Sequence, residues 1–208
     1  MPVEKCRNRS IYARFCMVKY MVTKSITPHT LTPIMNHTPK PLSALIERLE
    51  ESQNLEDYEV AFNMATISAI DFTPHYQFSA KGYTRSLLYQ SFACELVLIC
   101  WEHGQKSGIH NHSGSDCIMC CLDGELRETL YMRKSGQTDG RSVESVNIIS
   151  PYHPSNINDR VAVHSIENVY GGRSVSLHLY IPAIKQCKIY DRFLQETAIV
   201  NSRFDYTL

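Results

Sequence analysis

Residues 104–124 read GQKSGIHNHSGSDCIMCCLDG, and the two histidines near the middle govern how the rest of the chain is understood. His110 and His112 are separated by one residue, so in an extended segment both imidazoles leave the same face of a strand. Two such nitrogens can grip one metal ion. Histidine suits zinc, copper, nickel and iron(II), and a strand-borne pair needs one or two further ligands from elsewhere in the fold. An isolated His-x-His is commonly just two surface or hydrogen-bonded histidines, so its company carries the weight. Downstream, VAVHSIENV carries His164 on another β-type run, and after the Gly171-Gly172 turn SVSLHLYIP places Ser176, His178 and Tyr180 on one face by simple alternation. Three separate strands are thus expected to present chemically capable faces.

The 208 residues, 43% of them hydrophobic, can bury one substantial core, and all-β barrels of this length are usually single domains. We therefore expect an extension over residues 1–38 and one domain over 39–208. Formal net charge is zero but unevenly spread: residues 1–38 hold six Lys and Arg against Glu4 alone, leaving fifteen basic and twenty acidic residues for the remainder. A mildly acidic body argues against a nucleic-acid surface. The eight cysteines are not spaced like a secreted disulfide scaffold, and the N-terminus carries no secretory signal with an apolar core, so a reducing cytosol is expected. No apolar run approaches the ~18 to 20 residues of a membrane span.

Residues 1–38 are basic and end in a proline-rich run that forbids a long helix, which reads as a disordered tail. An organelle-targeting segment, a basic arm for a partner and an extension with no part in the chemistry all fit that composition. From Pro41 the pattern turns helical. Leu42, Leu45, Ile46 and Leu49 form one apolar stripe, and Asn54 can cap a second helix burying Tyr58, Ala61, Phe62 and Ala65. These helices are expected to cover an edge or open end of the barrel. CELVLICW (94–101) is a near-continuous apolar run and reads as a strand buried on both faces. Within the opening stretch Cys117 and Cys121 share one face and Cys120 the other, so the cluster does not converge like a zinc knuckle. Asp123-Gly124 between alternating runs is a hairpin signal. Nine or ten short strands in all indicate an antiparallel sandwich or barrel.

The spacing Gly104-x5-His110-x-His112-x4-Cys117-x6-Gly124 resembles the first motif of the cupin β-barrels, with Cys117 where most cupins carry a glutamate, and His164-x3-Asn168 resembles the end of the second. Together with Tyr83-Thr84-Arg85, ICW ending at Trp101, LDGELRETLY and SLHLYIP, the chain over 41–191 is similar to the thiol dioxygenase branch of the cupins, and within it to the cysteine dioxygenase family. The resemblance implies a jelly-roll-like antiparallel β-barrel with two or three N-terminal helices. It implies iron(II) on His110, His112 and His164 with no carboxylate ligand, and a thioether cross-link between Cys117 and Tyr180. Ser176 and His178 would orient the tyrosine hydroxyl, while Tyr83 and Arg85 face the substrate. The implied reaction adds both atoms of O2 to the thiol of L-cysteine to give cysteine sulfinic acid, on the route to taurine and sulfate, in a cytoplasmic monomer with no nucleic-acid or membrane partner. Three departures stand out: no Pro-x-Gly precedes His164, Asp116 precedes Cys117, and residues 1–38 have no counterpart. A zinc or nickel cupin acting as an isomerase or small-molecule-binding module would use the same histidines, and a non-catalytic ligand-binding barrel is a third reading. Oxygen uptake on a thiol separates them.

Overall fold

The computed structural model describes residues 40–133 and 142–208; the basic extension expected over residues 1–38 lies outside the described residues. The described chain begins with three helices, α1 (Leu42–Glu51), α2 (Leu55–Ala61) and α3 (Met64–Ile67). Strands β1 (Thr84–Gln90), β2 (Glu95–Trp101), β3 (Ile109–His110) and β4 (Asp116–Asp123) follow, then β5 (Leu126–Arg133), β6 (Ser142–Ile149), β7 (Pro154–Ile157) and β8 (Val163–Asn168), and finally β9 (Ser174–Ile181), β10 (Gln186–Tyr190), β11 (Glu196–Asn201) and β12 (Tyr206–Thr207). They form two six-stranded sheets, one ordered β12-β1-β2-β9-β4-β7 and the other β11-β10-β3-β8-β5-β6. All pairs are antiparallel except β1 with β12. This is the cupin-type antiparallel barrel expected from the sequence.

The centre of the first sheet is buried on both faces. β2 has no exposed position, as its apolar run predicts, and β4 and β9 are almost as dry. Alternation sends Leu96, Leu98, Cys120, Leu177 and Leu179 outward against Leu45, Leu49, Tyr58 and Phe62 of the helical layer. The opposite face turns Val97, Trp101, Cys117, Met119 and Tyr180 toward Leu126, Ile157 and Ile166 inside the barrel. Fully burying each Leu or Ile is worth about 1.5–3 kcal/mol, so each face holds the sheet independently.

Four expectations are corrected. The helices cover the outer face of the first sheet rather than an edge or an open end, because Leu96, Leu98, Leu177 and Leu179 present an apolar face there that Leu45, Leu49, Tyr58 and Phe62 bury. The second helix stops at Ala61: Asn54 caps α2 by accepting from Asp57 N–H at 3.1 Å, and Asn63 then opens α3 by accepting from Thr66 N–H at 2.9 Å. Ala65 is consequently exposed. Asp123-Gly124 does not close a hairpin, since β4 pairs with β7 and β9 while β5 pairs with β6 and β8. Both strands already have two neighbours, so the turn instead carries the chain from one sheet to the other. Gly124 there has φ 71°, and a Cβ would collide with Ser174 Oγ and the Arg173 carbonyl. Finally there are twelve strands among the described residues. Two of them, β3 and β12, are only two residues long, and β7 starts at Pro154 on a sheet edge, where proline is tolerated.

Candidate metal centre

His110 ends β3, opposite Ile189 of β10 on one side and His164 of β8 on the other. The strand stops there, so His112 projects from a loop rather than from the strand face the spacing suggested. That loop is clamped by Asp159, which accepts His112 N–H at 2.7 Å, Gly114 N–H at 2.8 Å and Asn111 Nδ2–H at 3.1 Å. Asn111 Oδ1 in turn accepts Lys188 N–H at 2.7 Å, tying the loop to β10. The three imidazoles converge: ring centroids lie 4.7–5.3 Å apart, and one nitrogen from each falls within 4.8 Å of the others.

Hydrogen bonding decides which nitrogens are free. His110 Nδ1–H donates to Gly108 O at 2.9 Å, and His164 Nδ1–H donates to Glu128 Oε1 at 2.9 Å. Each Nε2 therefore keeps its lone pair. His112 is 1% exposed, and neither of its ring nitrogens has a hydrogen-bond partner, Nδ1 lying 3.8 Å from Asp159 Oδ1. An orphaned buried polar atom costs about 1–3 kcal/mol. A cation held by the three nitrogens would relieve that cost. Burial also pushes His110 down to about 3 and His112 well below its ordinary value, so both imidazoles are neutral donors. Glu128 is buried too, which by itself would raise its carboxyl. Bonds from His164, Ser155 and Asn147 outweigh burial and hold it below the usual range, so it faces His164 as a carboxylate. The donor set is three imidazole nitrogens with the nearby acids engaged behind them, which fits iron(II), zinc, nickel or copper.

Cys117 and Tyr180 face each other as direct cross-strand partners of β4 and β9, both buried. Burial pushes the thiol and the phenol above their ordinary values, so each holds its proton. Tyr180's ring lies 5.8 Å from that of His112. Behind the tyrosine runs a polar chain along β9. Trp101 Nε1–H donates to Ser176 Oγ at 3.0 Å, Ser176 Oγ lies 2.8 Å from His178 Nε2, and His178 Nδ1 lies 3.4 Å from the Tyr180 hydroxyl. Trp can only donate, and in the tautomer where the serine proton goes to His178 Nε2, His178 carries its own proton on Nδ1 and donates to the phenol oxygen. Burial pushes His178 well below its ordinary value, which keeps it neutral in that role. Tyr180's own proton is left free to point into the cavity.

The cavity in front of the histidines has a volume of about 200 Å³ and is lined by Tyr83, Arg85, His110, His112 and Tyr180 among others. Tyr83 packs on Trp101 with centroids 4.5 Å apart, and burial raises its phenol while Arg85 pulls it back. The structure thus places Tyr83, Arg85, His110, His112 and Tyr180 around one cavity, with His164 beside the other two histidines, Cys117 opposite Tyr180, and Ser176 and His178 along β9. It adds Glu128, Asp159, Cys187 and the outer wall at 200–203, which sequence reasoning missed. The signal for Glu128 was present: in LRETL it shares a face with core residue Leu126.

The family described as cysteine dioxygenase type I matches residues 28–193. The type 1 cysteine dioxygenases of Bos taurus and Homo sapiens are 29% and 28% identical over 161 residues, covering 74% of this chain and 80% of theirs. The Danio rerio enzyme is 29% identical over 162 residues, covering 74% of this chain and 81% of its own. With the family matched through the helical layer and nearly the whole barrel, histidine cluster included, the chain belongs to the cysteine dioxygenase type I family.

Proposed function

We propose that this oxidoreductase holds iron(II) on His110, His112 and His164 and adds both atoms of O2 to the thiol of L-cysteine, giving cysteine sulfinic acid. The observation that carries this reading is the convergence of three imidazoles beside the Cys117–Tyr180 pair, with no carboxylate among them. Iron(II) bound there would supply the acidity that turns a thiol of pKa about 8.5 into a thiolate, and the redox chemistry that couples it to dioxygen. No separate base is required. Arg85 offers a planar fork to the substrate carboxylate, an interaction strengthened by the exclusion of water. Tyr83 closes the wall beside it. Tyr180, held by the proton of His178 Nδ1, presents its hydroxyl proton to the reacting oxygen atoms. Ser176 and Trp101 keep His178 in the tautomer that does this.

Cys117 and Tyr180 become a covalent cofactor when the Cys117 Sγ bonds to a ring carbon of Tyr180. The thiol and ring hydrogens leave as protons, and their electrons pass to dioxygen. The link fixes the phenol and tunes it without creating the activity. Residues 39–208 act as one catalytic domain of a cytoplasmic monomer whose ligands are cysteine and dioxygen, with no nucleic-acid or membrane partner. Among the described residues no helix is long and apolar enough to cross a membrane. The zinc or nickel isomerase and binding readings leave the Cys117–Tyr180 pair and the polar chain behind it without a use.

Metal analysis coupled to oxygen uptake with L-cysteine tests the assignment. Iron-loaded protein should consume dioxygen mole for mole with sulfinate formed. A metal-replete preparation that takes up no oxygen with any thiol would sink the reading.

A further inference from the structure

Arg85 has an unusual set of neighbours. Its backbone is held on one side by β2, opposite Ile99. On the other side its N–H donates to Asp205 Oδ2 at 2.8 Å, and its carbonyl accepts Asp205 N–H at 2.8 Å. β12 continues the grip, pairing Tyr206 with Ser86 and Thr207 with Leu87. The guanidinium is treated likewise: Nη2 donates to Ser202 Oγ at 3.4 Å, and Cζ lies 5.6 Å from the centre of the Phe204 ring. Nε is buried with no partner. Ser202 N–H is itself anchored on Lys185 O at 2.8 Å, so the segment is fixed at both ends. Its residues 200–203 also line the cavity. The family match ends at residue 193, so the contacts from Ser202, Phe204, Asp205 and β12 come from sequence beyond it.

We infer that residues 202–205 are a brace that sets the Arg85 guanidinium for the substrate's carboxylate, with Phe204 and Asp205 as positioning residues that determine selectivity between thiols bearing a carboxylate and thiols lacking one. The inference rests on the reading of Arg85 as the carboxylate fork. Physically, an arginine side chain has many rotamers, and binding must immobilise one of them. An aromatic face under the guanidinium and a doubly bonded backbone do so before the substrate arrives, without consuming the donors that the carboxylate needs. Neither residue touches the reacting atoms, so their loss should act on capture of substrate rather than on its conversion.

The test compares Phe204→Leu, Phe204→Tyr, Asp205→Ala, Arg85→Ala and the Arg85→Ala/Phe204→Leu double variant. Metal content and thermal melting are measured on each, and oxygen consumption is followed with L-cysteine and with cysteamine, which lacks the carboxylate. Where cysteamine turns over too slowly, its inhibition constant against L-cysteine is read instead. Phe204→Leu should raise KM for L-cysteine by about 3- to 30-fold with kcat and metal content kept, and leave cysteamine unchanged. Asp205→Ala should act in the same direction. Phe204→Tyr, which keeps the ring, should behave like the parent, and Phe204→Leu should add nothing in the Arg85→Ala background. Equal losses with both thiols, or an unchanged KM for L-cysteine, overturn the brace. If Arg85→Ala is selective against L-cysteine while the Phe204 and Asp205 variants are not, the carboxylate reading stands and the brace alone falls. If Arg85→Ala shows no selectivity, both fall.

Discussion

The two faces of strand β9 invite comparison. Val175, Leu177 and Leu179 point outward into the helical layer, while Ser176, His178 and Tyr180 point inward to the histidine cluster. The strand, its hydrogen-bond ladder and its two neighbours are common to both sets. The difference lies in what each face must satisfy. The outward face is apolar and needs only volume filled, so its side chains are interchangeable within the limits of packing. The inward face is polar and dry, so each group needs a specified partner or a ligand. Two of the residues with buried groups that lack one, His112 at its ring nitrogens and Arg85 at Nε, line the cavity. Cys117 and Cys120 repeat the contrast on β4. Both thiols are buried and pushed above their ordinary pKa by burial, but Cys117 faces Tyr180 and Cys120 faces Leu177.

If this division of labour is right, substitutions on the two faces should fail in different ways. The largest effect is expected at the metal: Ala at His110, His112 or His164 should remove most of the iron and essentially all turnover, with the barrel still folded, as read by metal analysis and circular dichroism. A His110→Ala protein with stoichiometric iron and normal rates would break the comparison at its root. On the outer face, Leu98→Ala should cost about 2–5 kcal/mol in urea unfolding while leaving kcat per folded, metal-loaded molecule unchanged. A loss of kcat there would mean that the two faces are coupled through the strand.

Glu128→Gln probes the support behind the inner face. It should weaken metal affinity by about 10- to 100-fold in a chelator competition, because His164 loses the charged acceptor of its Nδ1–H. Unaltered affinity would reduce Glu128 to a structural acid. The smallest effect separates the two cysteines. Cys117→Ser should abolish the linked peptide pair in tryptic mass spectrometry and lower activity without eliminating it. Cys120→Ser should leave both intact and cost only about 1–3 kcal/mol of stability for burying a hydroxyl against leucine. Finding Cys117 and Tyr180 always free after many turnovers would contradict the cofactor.

Much of this was legible in the residues themselves. Side-chain alternation is a property of the backbone, so SVSLHLY and DCIMCCL each declared two faces before any partner strand was known. The spacing of His110, His112 and Cys117, with His164 downstream, supplied the chemistry by its resemblance to a family. The amphipathic stripe of α1 and the Asn54 cap were equally local.

What the sequence could not decide was everything that depends on which strand lies beside which. Asp-Gly permits a turn but does not say whether the next strand returns to the same sheet, and here both flanking strands were already paired. The helical stripe declared a buried side without naming the surface it would cover. Glu128 gains its meaning only because β5 lies against β8, the strand that carries His164. Asp159 reaches the His112 loop across 47 residues, and Asp205 reaches Arg85 across 120. Local pattern determined which groups can do chemistry. The register of distant strands decided which of them meet, because long-range pairing reflects the burial of the whole barrel rather than the preference of any one segment.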